Sequence, residues 1–126
     1  MAIRTELHLR LPNSPGALAV VSRLLAGERV DILALMLERG GDLRFVPDNH
    51  VRAAAVLREH RHHVVERHVL ATDVPHAPGA LVPILGLLSD CGVNVEYAYS
   101  GVGSRASALV VLGVDDAARA AAAAGL

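Results

Sequence analysis

The alternation of apolar and polar residues begins near the N-terminus. From Thr5 to Leu11 every second residue is apolar, which is the pattern of a half-buried strand. After Pro15-Gly16 the period changes. Residues 18, 21, 22 and 25 follow the i, i+3, i+4, i+7 spacing of an amphipathic helix. The sequence therefore predicts a strand, a tight connection at Pro15-Gly16 and a helix.

The following segments complete a six-element unit. Asp31 to Leu37 predicts a strand, and Gly40-Gly41 predicts a hairpin turn into a second strand. His50 to His60 predicts a helix with Asp48 or Asn49 as its N-cap, and a further strand begins at Val64. The order is β-α-β-β-α-β, the ferredoxin-like plan with two helices on one face of an antiparallel sheet.

This unit occurs twice in the chain. Asn13-Ser14-Pro15-Gly16-Ala17-Leu18 returns as His76-Ala77-Pro78-Gly79-Ala80-Leu81, an offset of 78 − 15 = 63. The helical stripe returns as Leu81, Ile84, Leu85 and Leu88, and Val30-Asp31-Ile32 returns as Val93-Asn94-Val95. After an insertion of about three residues, Val46-Pro47-Asp48-Asn49 corresponds to Leu112-Gly113-Val114-Asp115. In both copies a glycine, Gly27 or Gly92, suits the exit of the first helix.

The second copy is predicted to be incomplete. We expect a first unit of residues 1–67 and a second of residues 68–126, joined by one long strand that serves both. The chain ends on a helix, so the second unit lacks its last strand. Because an uncovered sheet edge favours association, we expect a second subunit to cover that region.

Composition narrows the functional classes. The 126 residues carry a formal net charge of −1, which argues against a protein that binds nucleic acid through its phosphates. No apolar run is long enough to span a membrane, and no signal peptide is visible, so we expect a cytoplasmic protein. The apolar content of 52% favours burial against a partner, and we expect a homodimer.

No catalytic or metal-binding constellation is evident. Cys91 is the only cysteine, and no nucleophile–base pair or paired carboxylates can be assembled from the spacings. The histidines around His60-Arg61-His62-His63 fit a solvated turn better than a metal site, since strand neighbours point to opposite faces. We therefore expect a protein that is not an enzyme and has no cofactor or metal.

Asn13-x-Pro15-Gly16-x-Leu18, followed by a helix and Val30-Asp31-Ile32, resembles the ACT-domain signature, in which asparagine often stands at the position of Asp31. The second loop, with Val93-Asn94-Val95 after its helix, resembles it again. The nearest resemblance is to stand-alone proteins made of two tandem ACT domains, and it covers nearly the whole chain. It implies α+β architecture with two ferredoxin-like units. It also implies a regulatory protein that binds an amino acid between domains or subunits and signals to a separate enzyme or transporter.

The resemblance and the residues together give a candidate ligand site. Backbone N–H groups at the start of a helix favour a carboxylate, and Gly16 permits close approach of a ligand. Asp31, on the same or a neighbouring unit, could accept the ammonium group. The candidate ligand-binding residues are Asn13, Ser14, Pro15, Gly16, Ala17, Leu18, Asp31, Ile32, His76, Pro78, Gly79, Ala80, Leu81, Asn94, Val95 and Tyr97.

Structural explanations compete for the same residues. Pro-Gly can simply be a tight strand-to-helix connection, Asp31 a solvated charge, and Tyr97 with Tyr99 a packing pair on a strand. The second loop departs from the family pattern because His76 replaces asparagine. The alternative function is therefore a ligand-free dimerisation or interaction module of the same fold, acting on a separate enzyme or transporter.

Overall fold

The order of helices and strands agrees with the one predicted from the hydrophobic pattern. The computed structural model describes residues 1–125, and in that range it contains six strands and four helices. In chain order they are β1 (Ala2–Arg10), α1 (Ala17–Gly27), β2 (Ile32–Leu37), β3 (Asp42–Pro47), α2 (His50–Glu59), β4 (Val65–Pro75), α3 (Val82–Asp90), β5 (Val95–Gly101), β6 (Ser107–Val114) and α4 (Ala117–Ala123). The class is α+β, and no helix in the described range is long and apolar enough to cross a membrane.

The chain divides into two units whose boundaries fall inside strands. The first unit is Thr5–Arg67, and the second begins at His68 and also includes Met1–Arg4. The predicted long strand is present, because β4 runs without interruption across the second boundary. The first residues of the chain group with the second unit, and Met1 packs against its core. Coverage of its edge by a second subunit stays a prediction.

Each unit contains antiparallel strand pairs and has its own apolar core. In the first unit β3 pairs with both β1 and β2, and in the second β6 pairs with both β4 and β5. Helices α1 and α2 cover the first sheet, with Leu25 and Leu57 fully buried against Leu7 and Phe45. Helices α3 and α4 contribute Leu88 and Ala120 to the second core.

The register corrects the predicted alignment of the two copies after the hairpins. Ile32 pairs with Pro47, and Val95 pairs with Val114. The offset is 95 − 32 = 63 before the hairpin and 114 − 47 = 67 after it, so the insertion is four residues. Asp48 therefore corresponds to Asp115, whereas the sequence comparison paired it with Val114. A hydrophobic run such as residues 109–114 does not show which strand residue it faces, and this explains the slip.

The helix ends contain a second correction. Gly27 is the last residue of α1 and does not have a positive φ. The left-handed residue after α1 is Arg29 (φ 55°), and its repeat equivalent after α3 is Gly92 (φ 73°). The helix N-cap of α2 is Asn49, whose side chain accepts a hydrogen bond from the Arg52 amide, as one of the two predicted candidates.

Candidate functional site

The loop between β1 and α1 is held in place by the β2–β3 turn. The Leu11 amide donates to the carbonyl oxygen of Gly41 at 2.7 Å, and the Ser14 amide donates to that of Pro12 at 2.9 Å. Gly41 has a φ of 95°, and a Cβ at this position would overlap the carbonyl oxygen of Leu11. Only glycine fits there, so the turn and the loop form one rigid wall.

A cavity of about 300 Å³ lies between this loop and the turn, at the lower end of the range for small-molecule sites. Its lining is mixed, with four polar side chains beside six apolar residues and two glycines. The lining residues are Leu11, Pro12, Asn13, Ser14, Gly16, Ala17, Leu18, Ala19, Leu37, Glu38, Arg39 and Gly41. We refer to it as the first loop pocket.

The start of α1 presents backbone donors to this pocket. Gly16 is the N-cap and has a left-handed conformation. The first hydrogen bond of the helix runs from the Val20 amide to the Gly16 carbonyl oxygen, at 3.0 Å. The Ala17 amide makes a long bond of 3.4 Å to Ser14. Within residues 1–125, the amides of Leu18 and Ala19 donate to no protein acceptor. An anion in the pocket would find these groups available.

The second unit has a cavity in the equivalent place. It measures about 390 Å³ and is lined by Val74, Pro75, His76, Ala77, Gly79, Ala80, Leu81, Val82, Leu85, Ala108 and Val110. The residues from Val74 to Val82 are related to Leu11–Ala19 by the offset of 63, and Ala108 is related to Gly41 by the offset of 67. We refer to it as the second loop pocket. Apart from His76, all of its side chains are apolar or glycine.

The structure brings most of the predicted loop residues together. All six predicted residues of the first loop except Pro15 line the first loop pocket, and all five of the second except Pro78 line the second. The hydrophobic pattern does not reveal that the β2–β3 turn is a wall of the first pocket. The Gly40-Gly41 signal predicted that turn, but the hydrogen bond that places it beside the loop joins residues 30 positions apart.

The predicted aspartate and asparagine lie elsewhere. The Asp31 amide donates to the Asp48 side chain at 2.9 Å, and the Asp48 amide donates to the Asp31 carbonyl at 3.0 Å. The equivalent pair, Asn94 and Asp115, makes the same two bonds at 3.0 and 3.2 Å. These contacts join the beginning of one strand to the end of its partner, which is a structural role for the backbone at both positions.

Strand register excludes a clamp made of the loop and Asp31 within one unit. Arg10 at the end of β1 is paired with Asp42, whereas Ile32 at the start of β2 is paired with Pro47. The six residues of β3 therefore separate the two ends of the sheet, a distance of about 17 Å at the usual rise of a strand. A free amino acid is far shorter. The expectation that Asp31 of the same unit contacts the ligand is wrong, and an Asp31 from elsewhere stays a prediction.

Three further predicted residues are placed in packing contacts. Ile32 packs against the first core and Val95 against the second. Tyr97 stacks on Tyr99 with ring centroids 6.4 Å apart, and its ring covers Gly113 so closely that a Cβ there would overlap it. None of the three lines either loop pocket.

A separate cluster of ionisable residues lies on the first sheet. His8 Nε2 lies 3.0 Å from Asp42 Oδ1, beside a cavity of about 280 Å³ that Arg10 and His63 also line. The hydrogen bond from His8, helped by the charge of Arg10, holds the pKa of the Asp42 carboxyl below its usual value, against the opposing effect of desolvation. No set of three or more histidine, cysteine or acidic side chains in the described range is arranged to hold a metal ion.

Comparison with solved structures relates the fold to regulatory proteins. The protein BT0572 from Bacteroides thetaiotaomicron superposes with a TM-score of 0.86 at 28% identity, covering 98% of this chain and 87% of that one. The ligand-free regulatory subunit of aspartate kinase from Thermus thermophilus superposes with a TM-score of 0.68 at 17% identity, over 98% of this chain and 92% of that one. The second likeness shows a shared fold with a regulatory subunit.

A whole kinase contains the same fold as a part. Aspartokinase III from E. coli, in complex with lysine and aspartate, superposes with a TM-score of 0.56 at 19% identity, over 94% of this chain and 30% of that one. No protein-family model matches the chain, and no curated protein matches it by sequence. The structural likeness therefore rests on the course of the backbone.

Proposed function

We propose that this chain is a regulatory protein that binds a free amino acid in the first loop pocket. The proposal proceeds from a fold shared with regulatory subunits of aspartate kinase and from the ACT-like loops. The observation that carries it is the cavity of about 300 Å³ built from five of the six residues of the ACT-like Asn-Ser-Pro-Gly-Ala-Leu motif. The chain would act on a separate enzyme or transporter, as a pair of ferredoxin-like ACT units in tandem.

The pocket's groups match the ends of an amino acid. The available amides of Leu18 and Ala19 would bind the carboxylate, since the positive end of the α1 dipole reinforces them. Asn13, whose side chain is exposed at the rim, offers both a donor and an acceptor. Gly16, with its φ of 85°, leaves the backbone uncovered on the ligand's side.

The ammonium group would be bound by a second copy of the chain. Asp31 lies too far from the loop of its own unit, and its side chain is exposed. A homodimer that places one subunit's Asp31 against the partner's loop would complete the zwitterion site. This arrangement gives the Asp31 carboxylate a role at a position where ACT domains often have asparagine.

A thermal-shift screen tests the proposed function. The wild-type chain is heated with each of the twenty standard amino acids at millimolar concentration. An amino acid at about 100 times its dissociation constant adds about 2.7 kcal/mol to the free energy of unfolding, a rise of several degrees in Tm. We expect a selective rise with one chemical class of amino acid.

The control is a pair of variants at equivalent positions. Asn13→Ala removes the amide from the first loop pocket, and His76→Ala makes the matched change in the second. The shift should fall in Asn13→Ala and persist in His76→Ala for a ligand of the first pocket. If no amino acid shifts the wild-type Tm, the binding function is wrong and the ligand-free interaction module is favoured.

A further inference from the structure

We infer that the second loop pocket is a site of different selectivity, which takes an α-amino acid with an aliphatic side chain. The inference rests on the proposed function, because it treats the second pocket as the counterpart of the first. It concerns the residues that differ between the two equivalent loops. The two cavities occupy equivalent positions, but the chemistry of their walls differs.

The first difference lies in the loop itself. Ser14 is replaced by Ala77 and Ala19 by Val82, so the second pocket loses a hydroxyl group and gains a branched side chain. The β2–β3 turn supplies Glu38 and Arg39 to the first pocket. In the second pocket the corresponding wall is formed by Ala108 and Val110 of β6. No formally charged side chain lines it.

The second difference lies at the beginning of α3. Pro83 stands where the first unit has Val20, whose amide bonds to Gly16. Because proline has no amide hydrogen, this bond cannot form, and Val82 bonds to Gly79 in a tighter turn at 3.1 Å. Helix α3 accordingly begins at Val82, two residues later than its repeat relation to α1 would place it.

Apolar side chains at the beginning of α3 are open to the cavity. Leu81 and Leu85 belong to the predicted buried stripe, yet they are 40% and 39% exposed, and Val82 is 68% exposed. All three line the second loop pocket. Leu85 corresponds to Ser22, which does not line the first pocket. An aliphatic side chain in the cavity of about 390 Å³ would bury this surface.

The polar end of the ligand would be bound by the remaining groups of the loop. His76 is exposed at the rim, and its imidazole can donate a hydrogen bond to a carboxylate. Gly79 keeps the left-handed conformation of Gly16, with a φ of 74°, so the backbone is equally open to approach. The second pocket thus differs at its polar end as well, because the Val82 amide, equivalent to that of Ala19, is bonded to Gly79, and His76 supplies the side-chain donor in place of Asn13.

The experiment is an NMR titration of the full chain with L-leucine and with L-serine, following the backbone amides. We expect L-leucine to produce saturable shifts at Leu81, Val82, Leu85 and Ala108, with an affinity about tenfold or more above that of L-serine. A variant that restores the first-loop residues, His76→Asn with Ala77→Ser, Val82→Ala and Leu85→Ser, should lose at least tenfold in leucine affinity. Leu85→Met is the matched control, and it should keep leucine binding because its volume and polarity are similar.

The outcomes separate the inference from the proposed function. If L-leucine and L-serine perturb only first-unit amides such as Leu18 and Ala19, the inference is wrong and the proposed function stands. If the fourfold variant binds leucine as the wild type does, the inference is also wrong. If the fourfold variant changes the sedimentation coefficient of the chain but not its leucine binding, the exposed leucines form an interface between copies and the second pocket is not a ligand site. If neither amino acid nor any other of the twenty binds, the proposed function itself fails.

Discussion

The residues that follow α1 and α3 differ in the conformational free energy of the left-handed backbone that both adopt. Arg29 and Gly92 both follow a helix in the left-handed conformation, and the next amide in each case bonds back to the helix at 2.9 Å, Val30 to Leu25 and Val93 to Leu88. A residue with a Cβ pays roughly 1 to 2 kcal/mol in this conformation, whereas glycine does not. The first unit therefore carries local strain that the second avoids.

This comparison predicts opposite effects of two substitutions. Arg29→Gly should stabilise the chain by about 0.5–1 kcal/mol, because relief of the strain outweighs the greater freedom of glycine in the unfolded chain. Gly92→Ala should destabilise it by about 1 kcal/mol, since the new Cβ meets only an ordinary contact with Arg119 and the cost is conformational. Urea unfolding midpoints measure both. Equal midpoints for Arg29→Gly and wild type would contradict the account of strain.

Pairs of strands are joined by side chains that the hydrophobic pattern does not reveal. His8 and Asp42 connect β1 to β3 across 34 residues of sequence, with both side chains partly exposed. The pKa of the Asp42 carboxyl is lowered in the folded chain, so this contact contributes stability above the ordinary carboxyl value of 3.8. The contribution is lost as the pH falls through the lowered value.

Asp42→Asn should make this dependence visible. We expect its Tm to lie slightly below that of the wild type between pH 5 and 7, and the difference to close as the pH falls below about 3.8. Thermal unfolding of both chains from pH 2.5 to 7 gives the comparison. His8→Ala removes the same contact, so its Tm should also lie slightly below that of the wild type between pH 5 and 7 and approach it below about pH 3.8. A difference that stays constant down to pH 2.5 would show that Asp42 acts through something other than its charge.

At the scale of helices and strands, the sequence predicted what depends on periodicity. The strands, the four helices and the N-cap of α2 followed from apolar spacing and turn residues. The late start of α3 did not follow from apolar spacing, because the apolar stripe with Leu81 and Leu85 matches that of the first helix. Pro83, which lacks an amide hydrogen, is the residue that indicates the later start. The one-residue shift in the alignment of the two copies after the second hairpin was also not predicted, because the hydrophobic pattern does not show the length of a loop.

At the scale of the whole chain, two loops related by an offset of 63 residues have pockets with different walls. The sequence grouped loop residues correctly where they are close in the chain, since most of those from Asn13 to Leu18 and from His76 to Leu81 line one pocket each. Their binding of a ligand stays a prediction. It could not place contacts made across the sheet, such as the Gly41 turn. For Asp31 it left two possibilities, and strand register removed one of them.

The chain shares its fold with a regulatory subunit of aspartate kinase, and the first loop gives the proposed site a location. The central claim is that a free amino acid binds at the start of α1. The most direct measurement is an NMR titration of the wild-type chain with the twenty standard amino acids, added in four pools of five. We predict saturable shifts of the Leu18 and Ala19 amides with at least one pool, and their loss in Asn13→Ala. Amides of the first loop that stay unchanged with all four pools would contradict the account.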